Sequence, residues 1–333
     1  MKYAVIGLGA VGNIVGGILK KSENNVVLIG KENQVDIINK NGIKINGING
    51  SLSIENPNAS SDLSYLKDVD FIIICVKSYD TQNLANQIKQ HIKKTALILS
   101  LQNGVKNSNI IHKITGNKVI SGVVLFNALF LKPGESTLAI RGGLLIEDEK
   151  SNSEAIEDLI NCFNMRGLTS KSVKNIEGFQ YSKLIVNLQN AVTALTGQTI
   201  KESIIDSNSR SVLIATMKEG LYILEKSGIS IESLPDMDPK KIIKRLSSYN
   251  SIFLRIGSKI LKLKNARTSM WQSLSRGKST EIDYINGEIV SLARKNNLKA
   301  PINEKLVELL KEAENKHSIK SFEPSELKKL LNI

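Results

Sequence analysis

Residues Tyr3 to Gly17 read YAVIGLGAVGNIVGG: a short β-branched run breaks into Gly7-x-Gly9-x-x-Gly12 and continues as a small-residue helix. A strand delivered through a tight glycine turn into a helix opens a βαβ unit, so the chain is directed from its first residues toward an α/β fold with a parallel sheet. Each glycine answers a separate steric demand. Gly7 lets the chain turn sharply off the strand, Gly9 leaves room for backbone N–H groups to approach a pyrophosphate, and Gly12 permits close helix–strand packing. The helix N-terminus adds partial positive charge and unpaired donors. The expected cofactor contacts are Gly7, Leu8, Gly9, Ala10, Val11 and Gly12. A lone GxGxxG is a weak signal, but here a strand precedes it and an uninterrupted helix follows, as a dinucleotide site requires.

The second strand, Asn25-Val26-Val27-Leu28-Ile29, runs into Gly30-Lys31-Glu32. An acid at that strand end accepts hydrogen bonds from an adenine ribose 2′-hydroxyl, whereas a base pairs with a 2′-phosphate. Lys31 stands first and Glu32 only after it, which favours NADP over NAD; a merely solvated lysine is the alternative.

A chain of 333 residues exceeds one ordinary core and suits two domains, and 41% hydrophobic content is ample for both. The longest apolar stretch, Val119 to Leu131, is broken by Asn127 and falls short of the ~20 residues a membrane helix needs. The chain enters a strand at once, with no room for a cleavable signal segment, so the cytoplasm is the expected compartment. Cys75, inside FIIICVK, and Cys162 lack CxxC spacing and read as buried thiols. His91, His112 and His317 are scattered, which argues against a protein metal site and against a histidine acid or base.

The formal net charge is +13, and between Pro239 and Lys278 lie eleven Lys or Arg residues with no Asp or Glu. Only 5% of residues are aromatic and no nucleic-acid module is recognisable. Basic helix surfaces, or attraction of an anionic cofactor and substrate, explain the charge better than nucleic acid does.

Up to residue 175 strands and helices alternate as in a parallel sheet. The pattern predicts a helix at Gln34–Asn41, a hairpin-like stretch at Gly42–Ile54, a buried strand at Asp70–Val76 and a helix at Thr81–Ile92. Strands at Ala96–Leu101 and Lys118–Phe126 follow, then an antiparallel pair between Pro133 and Glu147, a helix at Glu154–Met165 and a strand near Leu168–Val173. From residue 176 long helical patterns take over, at 179–196, 208–228, 239–262, 280–296, 302–317 and 324–331. The expected architecture is a Rossmann-type domain, 1–175, binding NADP, followed by an all-helical domain, 176–333, for substrate and dimerisation. Apolar helices in the second domain make a homodimer plausible.

Three constellations carry chemistry. The helix FQYSKLIVNLQNAVTAL is apolar nearly all round, yet Lys183, Asn187 and Asn190 fall at i, i+4 and i+7 as one polar stripe where burial makes polarity costly. A lysine there can hydrogen-bond a carbonyl oxygen and deliver a proton, and partial desolvation brings its pKa toward the working range. The competing explanation is an interdomain hydrogen-bond seam. The second constellation runs from Ser269-Met270-Trp271-Gln272-Ser273 to Ser279-Thr280-Glu281-Ile282-Asp283. Here Ser279 or Thr280 suits a helix cap, with Glu281 and Asp283 in the first turn. The third is the pair of strand ends, Lys77 after FIIICV and Gln102-Asn103-Gly104 after LILSL, which face a ligand in an open α/β sheet.

With GLGAVG, VKSYDT, LQNG, SKLIVN and STEIDYING in that order, followed by Pro301, the chain resembles the ketopantoate reductase (2-dehydropantoate 2-reductase) family over nearly its whole length. The resemblance implies an N-terminal Rossmann domain, a helical C-terminal domain and NADPH-dependent reduction of 2-dehydropantoate to (R)-pantoate, a step of pantothenate and coenzyme A biosynthesis. It implies Lys183 as general acid, Asn103 and Asn187 orienting substrate and nicotinamide, and Glu281 at the cofactor ribose region. It also implies Lys77 and Ala128 beside the cofactor and Ser269 at the substrate. One departure stands out. Biosynthetic members carry an asparagine eight residues after the lysine, whereas this chain has Ala191 there and Asn190 one place earlier, a rotation of about 100° on a regular helix. It also lacks the proline that usually follows and has WQS where many members have a Gln-Asp pair. Rival functions are reduction of another branched 2-keto acid, opine-type dehydrogenation, and nucleotide sensing without turnover, the last disfavoured by a costly polar stripe that a sensor does not need.

Overall fold

The computed structural model describes residues 1–22, 25–47, 51–150, 153–235, 237–248, 267–316 and 321–333. They form two compact units, Met1–Glu177 and Gly178–Ile333. The first contains, in order, β1 (Lys2–Ile6), α1 (Ala10–Lys21), β2 (Asn25–Ile29), α2 (Glu32–Asn41), β3 (Ile43–Asn46), β4 (Leu52–Ile54), β5 (Ala59–Ser60) and β6 (Phe71–Ile74). There follow α3 (Thr81–Ile88), β7 (Leu97–Ser100), α4 (Asn107–Thr115), β8 (Val119–Val124), β9 (Asn127–Lys132), β10 (Glu135–Ile140), β11 (Leu144–Glu147), α5 (Ser153–Asn164) and β12 (Lys171–Val173).

The main sheet has the order β12-β11-β8-β7-β6-β1-β2-β5. β1 pairs in parallel with both β2 and β6, and β6, β7 and β8 continue in parallel, while β11 runs antiparallel to β8. Winding changes direction beside β1, and ligands of open α/β sheets lie outside the carboxyl ends of strands at such a point. Helices cover both faces, so the strands are apolar without alternation, as FIII in β6 shows. Successive side chains feed different cores: Tyr3, Val5, Leu28, Phe71 and Ile73 pack with α1 residues Ile14, Val15 and Ile18. Ala4, Ile6, Ile72 and Ile74 pack with Leu84 and Ile88 of α3 and with Ile111 of α4.

A second sheet, β4-β3-β10-β9, lies on the other side of α1. The helix fits there because its contact residues are small. A Cβ at Gly16 would meet Leu28 Cδ2 at 2.6 Å, and one at Gly17 would meet Ile45 Cδ1 at 2.6 Å.

The stretch from Pro133 to Glu147 is not the antiparallel pair expected from its alternation. β10 pairs antiparallel with β9 and parallel with β3, whereas β11 belongs to the main sheet. The corner between them is made by Gly142 and Gly143, where a Cβ would meet Leu125 O at 2.5 Å and Thr169 O at 1.8 Å. Alternation records which face a residue takes, not which sheet it joins. For the same reason the apolar run Val119–Leu131 divides into β8 and β9, in different sheets. The helix α4 has no counterpart in the sequence pattern because NSNIIHKIT buries little apolar surface, chiefly Ile111.

The second unit holds α6 (Ile176–Asn187), which starts just before it, α7 (Gln189–Thr196), α8 (Ile200–Ile205), α9 (Ser207–Lys226) and α10 (Pro239–Ser248). Then come α11 (Ser269–Leu274), α12 (Asn286–Lys295), α13 (Pro301–Asn315) and α14 (Pro324–Leu330). The expected helix 179–196 is interrupted at Leu188. The helix expected at 280–296 starts only at Asn286, after a 3₁₀ turn at Ile282–Tyr284. Of the helix expected at 239–262, residues 249–262 lie outside the described residues, as does His317. The short α8 carries a legible signature, Thr199-x-x-Glu202: the Thr199 hydroxyl accepts from the Glu202 N–H at 3.2 Å and the Glu202 carboxylate accepts from the Thr199 N–H at 2.7 Å. Among the described residues no group of His, Cys, Asp or Glu could hold a metal ion, and no helix is long and apolar enough to cross a membrane.

Candidate active site

The glycine turn has the stereochemistry its residues suggested. Gly7 sits at φ +99°, where a Cβ would meet Val76 N at 2.7 Å, and its N–H donates to Ile29 O at 2.9 Å. Gly12 presses on the turn: a Cβ there would lie 1.9 Å from Gly7 O. Gly9 differs, since a Cβ there would meet nothing within 4 Å. It occupies the N-cap of α1, which has no side-chain cap and no acid in its first turn. Backbone N–H groups at the start of α1, beside Ala10 and Val11, thus border open space that an anion can fill, which fits a pyrophosphate. Leu8 is 1% exposed and its side chain lies under Gly30 in the core, so that side chain does not face a ligand. Lys31 follows at the carboxyl end of β2, exposed.

Lys77 and Asn103 lie just past the carboxyl ends of β6 and β7, adjacent strands, and both are half-buried. A buried polar network, absent from the sequence reading, holds the two loops together. The Asn103 carbonyl accepts from Ser78 Oγ at 2.7 Å and from Asn107 Nδ2 at 2.6 Å. Thr81 Oγ1 donates to Asn107 Oδ1 at 2.8 Å, and Gln102 Nε2 donates to Thr81 Oγ1 at 2.7 Å and to Val76 O at 3.1 Å. Polar residues clustered at two strand ends were the available signal. Burial pushes the Cys75 thiol, beside this turn, up to about 12, which leaves it unreactive. Ala128 sits on β9, half-buried and opposite Leu138, in the second sheet rather than at the main-sheet edge.

In the second unit, Lys183 and Asn187 lie on α6, half-buried, and Asn190 lies on α7, buried. Burial lowers the Lys183 pKa from its ordinary value to about 8, against the opposing pull of the Glu281 carboxylate. Glu281 is 5% exposed. It is not in the first turn of an α-helix, as expected, but precedes the 3₁₀ turn Ile282–Tyr284, whose entry is set by Thr280 Oγ1 accepting from the Ile282 N–H at 3.2 Å. Thr280 is in turn fixed by donating its N–H to Glu314 Oε1 at 2.6 Å. Asp283 faces away and pairs with Lys311 at 2.7 Å. A buried acid and a half-buried lysine of lowered pKa form an arrangement suited to proton transfer.

Ser269 opens α11 and is exposed. That helix is moored to α7 through the Thr268 and Thr193 hydroxyls, 3.0 Å apart. The Arg267 guanidinium stacks 3.9 Å over the Trp271 ring and donates to Gly197 O at 2.5 Å. The departure WQS therefore has a packing role. The interruption at Leu188 also means that the offset between Asn190 and Ala191 no longer converts into a simple rotation.

Family models described as ketopantoate reductase PanE/ApbA and its C-terminal domain match residues 3–150 and 175–314. A 2-dehydropantoate 2-reductase of Pyrococcus horikoshii is 34% identical over 94% of this chain and 98% of its own. A crystal structure of a PanE/ApbA family ketopantoate reductase from Ralstonia eutropha superposes with a TM-score of 0.82 at 29% identity, covering 95% of this chain and 99% of that one. A D-mandelate dehydrogenase, solved with NADH and anilino(oxo)acetate, shares the fold with a TM-score of 0.78 at 24% identity, over 95% and 99%. A dinucleotide-type glycine turn, a half-buried lysine of lowered pKa that feels the charge of a buried acid, and full-length likeness to 2-dehydropantoate 2-reductases converge: this chain is an oxidoreductase acting on a CH–OH group and belongs to the ketopantoate reductase family.

Proposed function

We propose that the protein reduces 2-dehydropantoate to (R)-pantoate with NADPH, a step toward pantothenate and coenzyme A, and that Lys183 is the general acid. The observation that carries this is Lys183 itself: a half-buried lysine whose pKa is brought to about 8 beside Glu281. Reduced nicotinamide, when bound, supplies the hydride. The residues of the glycine turn hold the pyrophosphate on backbone N–H groups, and Lys31 pairs with the 2′-phosphate. Lys77 and Asn103 line the cofactor, with Asn103 also meeting substrate.

Lys183 hydrogen-bonds the keto oxygen, stabilises the negative charge that grows there, and transfers its proton to make the hydroxyl. Asn187 and Asn190 hold the carboxylate or hydroxyl without adding charge, and Ser269 contributes a hydroxyl. Glu281 meets the ribose region and keeps a negative charge near Lys183, which favours the protonated acid. The second reading is a reductase of a different branched 2-keto acid. It is favoured by Ala191, fully buried where biosynthetic members carry asparagine. Steady-state oxidation of NADPH with 2-dehydropantoate and a panel of other 2-keto acids decides. The highest kcat/KM on 2-dehydropantoate supports the first reading, preference for another 2-keto acid supports the second, and no turnover of any 2-keto acid overturns both.

A further inference from the structure

The regular ladder of the lysine-bearing helix stops at Asn187 and resumes at Gln189. Leu188 keeps helical angles, φ −55° and ψ −28°, but its N–H is shared between Leu184 O at 3.0 Å and Ile185 O at 3.3 Å. The local sequence LIVNLQNA contains neither Gly nor Pro, the commonest local causes of such a break. A tertiary contact lies at the spot. Asn286, the first residue of α12, is fully buried, and its Nδ2 donates to Leu188 O at 3.4 Å and to Asn303 Oδ1 at 3.0 Å. Asn303, also fully buried, donates to Thr216 O at 3.3 Å and to Glu219 Oε1 at 2.8 Å. Glu219 also accepts the N–H groups of Ile302 and Asn303, at 3.0 and 2.8 Å, at the start of α13. The break is thus held by α9, α12 and α13 together. Asn286 lies two residues past the 3₁₀ turn Ile282–Tyr284 that follows Glu281, so one amide joins the helix of Lys183 and Asn187 to the segment of Glu281.

We propose that Asn286 is a positioning residue: by holding the Leu188 carbonyl at the break, it sets where Lys183 and Asn187 stand relative to Glu281. The role in turnover rests on the function proposed above, whereas the role at the break does not. The Asn286 Nδ2 makes both of its bonds while its Oδ1 is buried without a partner among the described residues, so the amide is retained at a cost, and the two donor bonds are what fix its geometry. A misplacement of the order of 1 Å in a catalytic group can cost about 100-fold in rate.

The test compares Asn286→Leu, which removes the donor at similar volume, and Asn286→Ser, which shortens it with little cavity, against Asn286→Gln, which keeps an amide. We expect kcat to fall by roughly 10- to 100-fold in the Leu and Ser variants while the NADPH dissociation constant, read by fluorescence, stays unchanged, with partial recovery in the Gln variant. Amide hydrogen exchange over Gln189–Ala191 accelerates in the Leu and Ser variants and much less in the Gln variant. Should the Leu variant fail to fold, the Ser variant decides. Wild-type kcat with unaltered exchange overturns the proposal, as does a parallel loss of kcat, NADPH affinity and thermal stability. If the wild-type protein turns over no 2-keto acid, the functional reading fails and the exchange measurement still decides whether Asn286 holds the break.

Discussion

In the proposed mechanism one ionisable side chain, Lys183, transfers the proton, and the sign of its shift is informative. Burial lowers its pKa to about 8, while Glu281 raises it and so keeps more of it protonated. As a general acid it acts in the protonated form, so kcat/KM should be level at low pH and fall through about 8 on the alkaline side. Glu281→Gln removes the raising influence and should move that limb to lower pH; an unmoved limb would show that the carboxylate does not reach the lysine. Lys183→Ala should lower kcat by ~10²–10⁴-fold with NADPH still bound, and the limb should disappear. Turnover within a fewfold of wild type would leave the stripe a packing feature. Lys31→Ala should weaken NADPH but not NADH in parallel fluorescence titrations, because only the 2′-phosphate loses a partner. Lysine on an apolar helix was legible in the sequence, but the influence of Glu281 on it was not. The two residues are nearly a hundred positions apart, and local pattern alone put the carboxylate in a helix's first turn, only the family resemblance giving it a role, whereas the helix begins at Asn286.

At the scale of elements, the strand–turn–helix unit separates ligand contact from packing. Gly9→Ala meets no neighbour within 4 Å and should leave the melting temperature near wild type while weakening NADPH binding by occupying ligand space. Gly12→Ala cannot be accommodated without moving the turn, since its Cβ would lie 1.9 Å from Gly7 O, so it should lower both stability and NADPH binding. Equal effects of the two substitutions on melting temperature would contradict this division. The loops after β6 and β7 are held by Ser78, Thr81, Gln102 and Asn107. Asn107→Leu leaves the Thr81 hydroxyl without its acceptor, at roughly 1–3 kcal/mol, and the Asn103 carbonyl with one donor instead of two, enough to lower the melting temperature measurably. The glycine turn was legible because its conformational demands are local. The strand-end network was not, since hydrogen bonds between loops distant in sequence leave no periodic trace.

Across the whole molecule, the net charge of +13 is a field that favours anions. Raising salt well beyond physiological strength should slow NADPH association several-fold by screening, as stopped-flow fluorescence would record. A salt-independent rate would mean that the lysines are surface solvation only. The α/β character of the first half and the helical character of the second follow from sequence alone, because hydrophobic periodicity and glycine placement act within a few residues. The glycine turn, the second strand and a lysine on an apolar helix were legible on the same terms, whereas the single helix face joining Lys183, Asn187 and Asn190 was interrupted at Leu188. Tertiary structure alone decided which strands share a sheet, as with β10 and β11 parted by Gly142–Gly143. It also broke the helix at Leu188 where no local residue demanded it, and it set Glu281 near Lys183. Those outcomes depend on which distant groups satisfy one another once water is excluded, and that choice is made only when the whole chain packs.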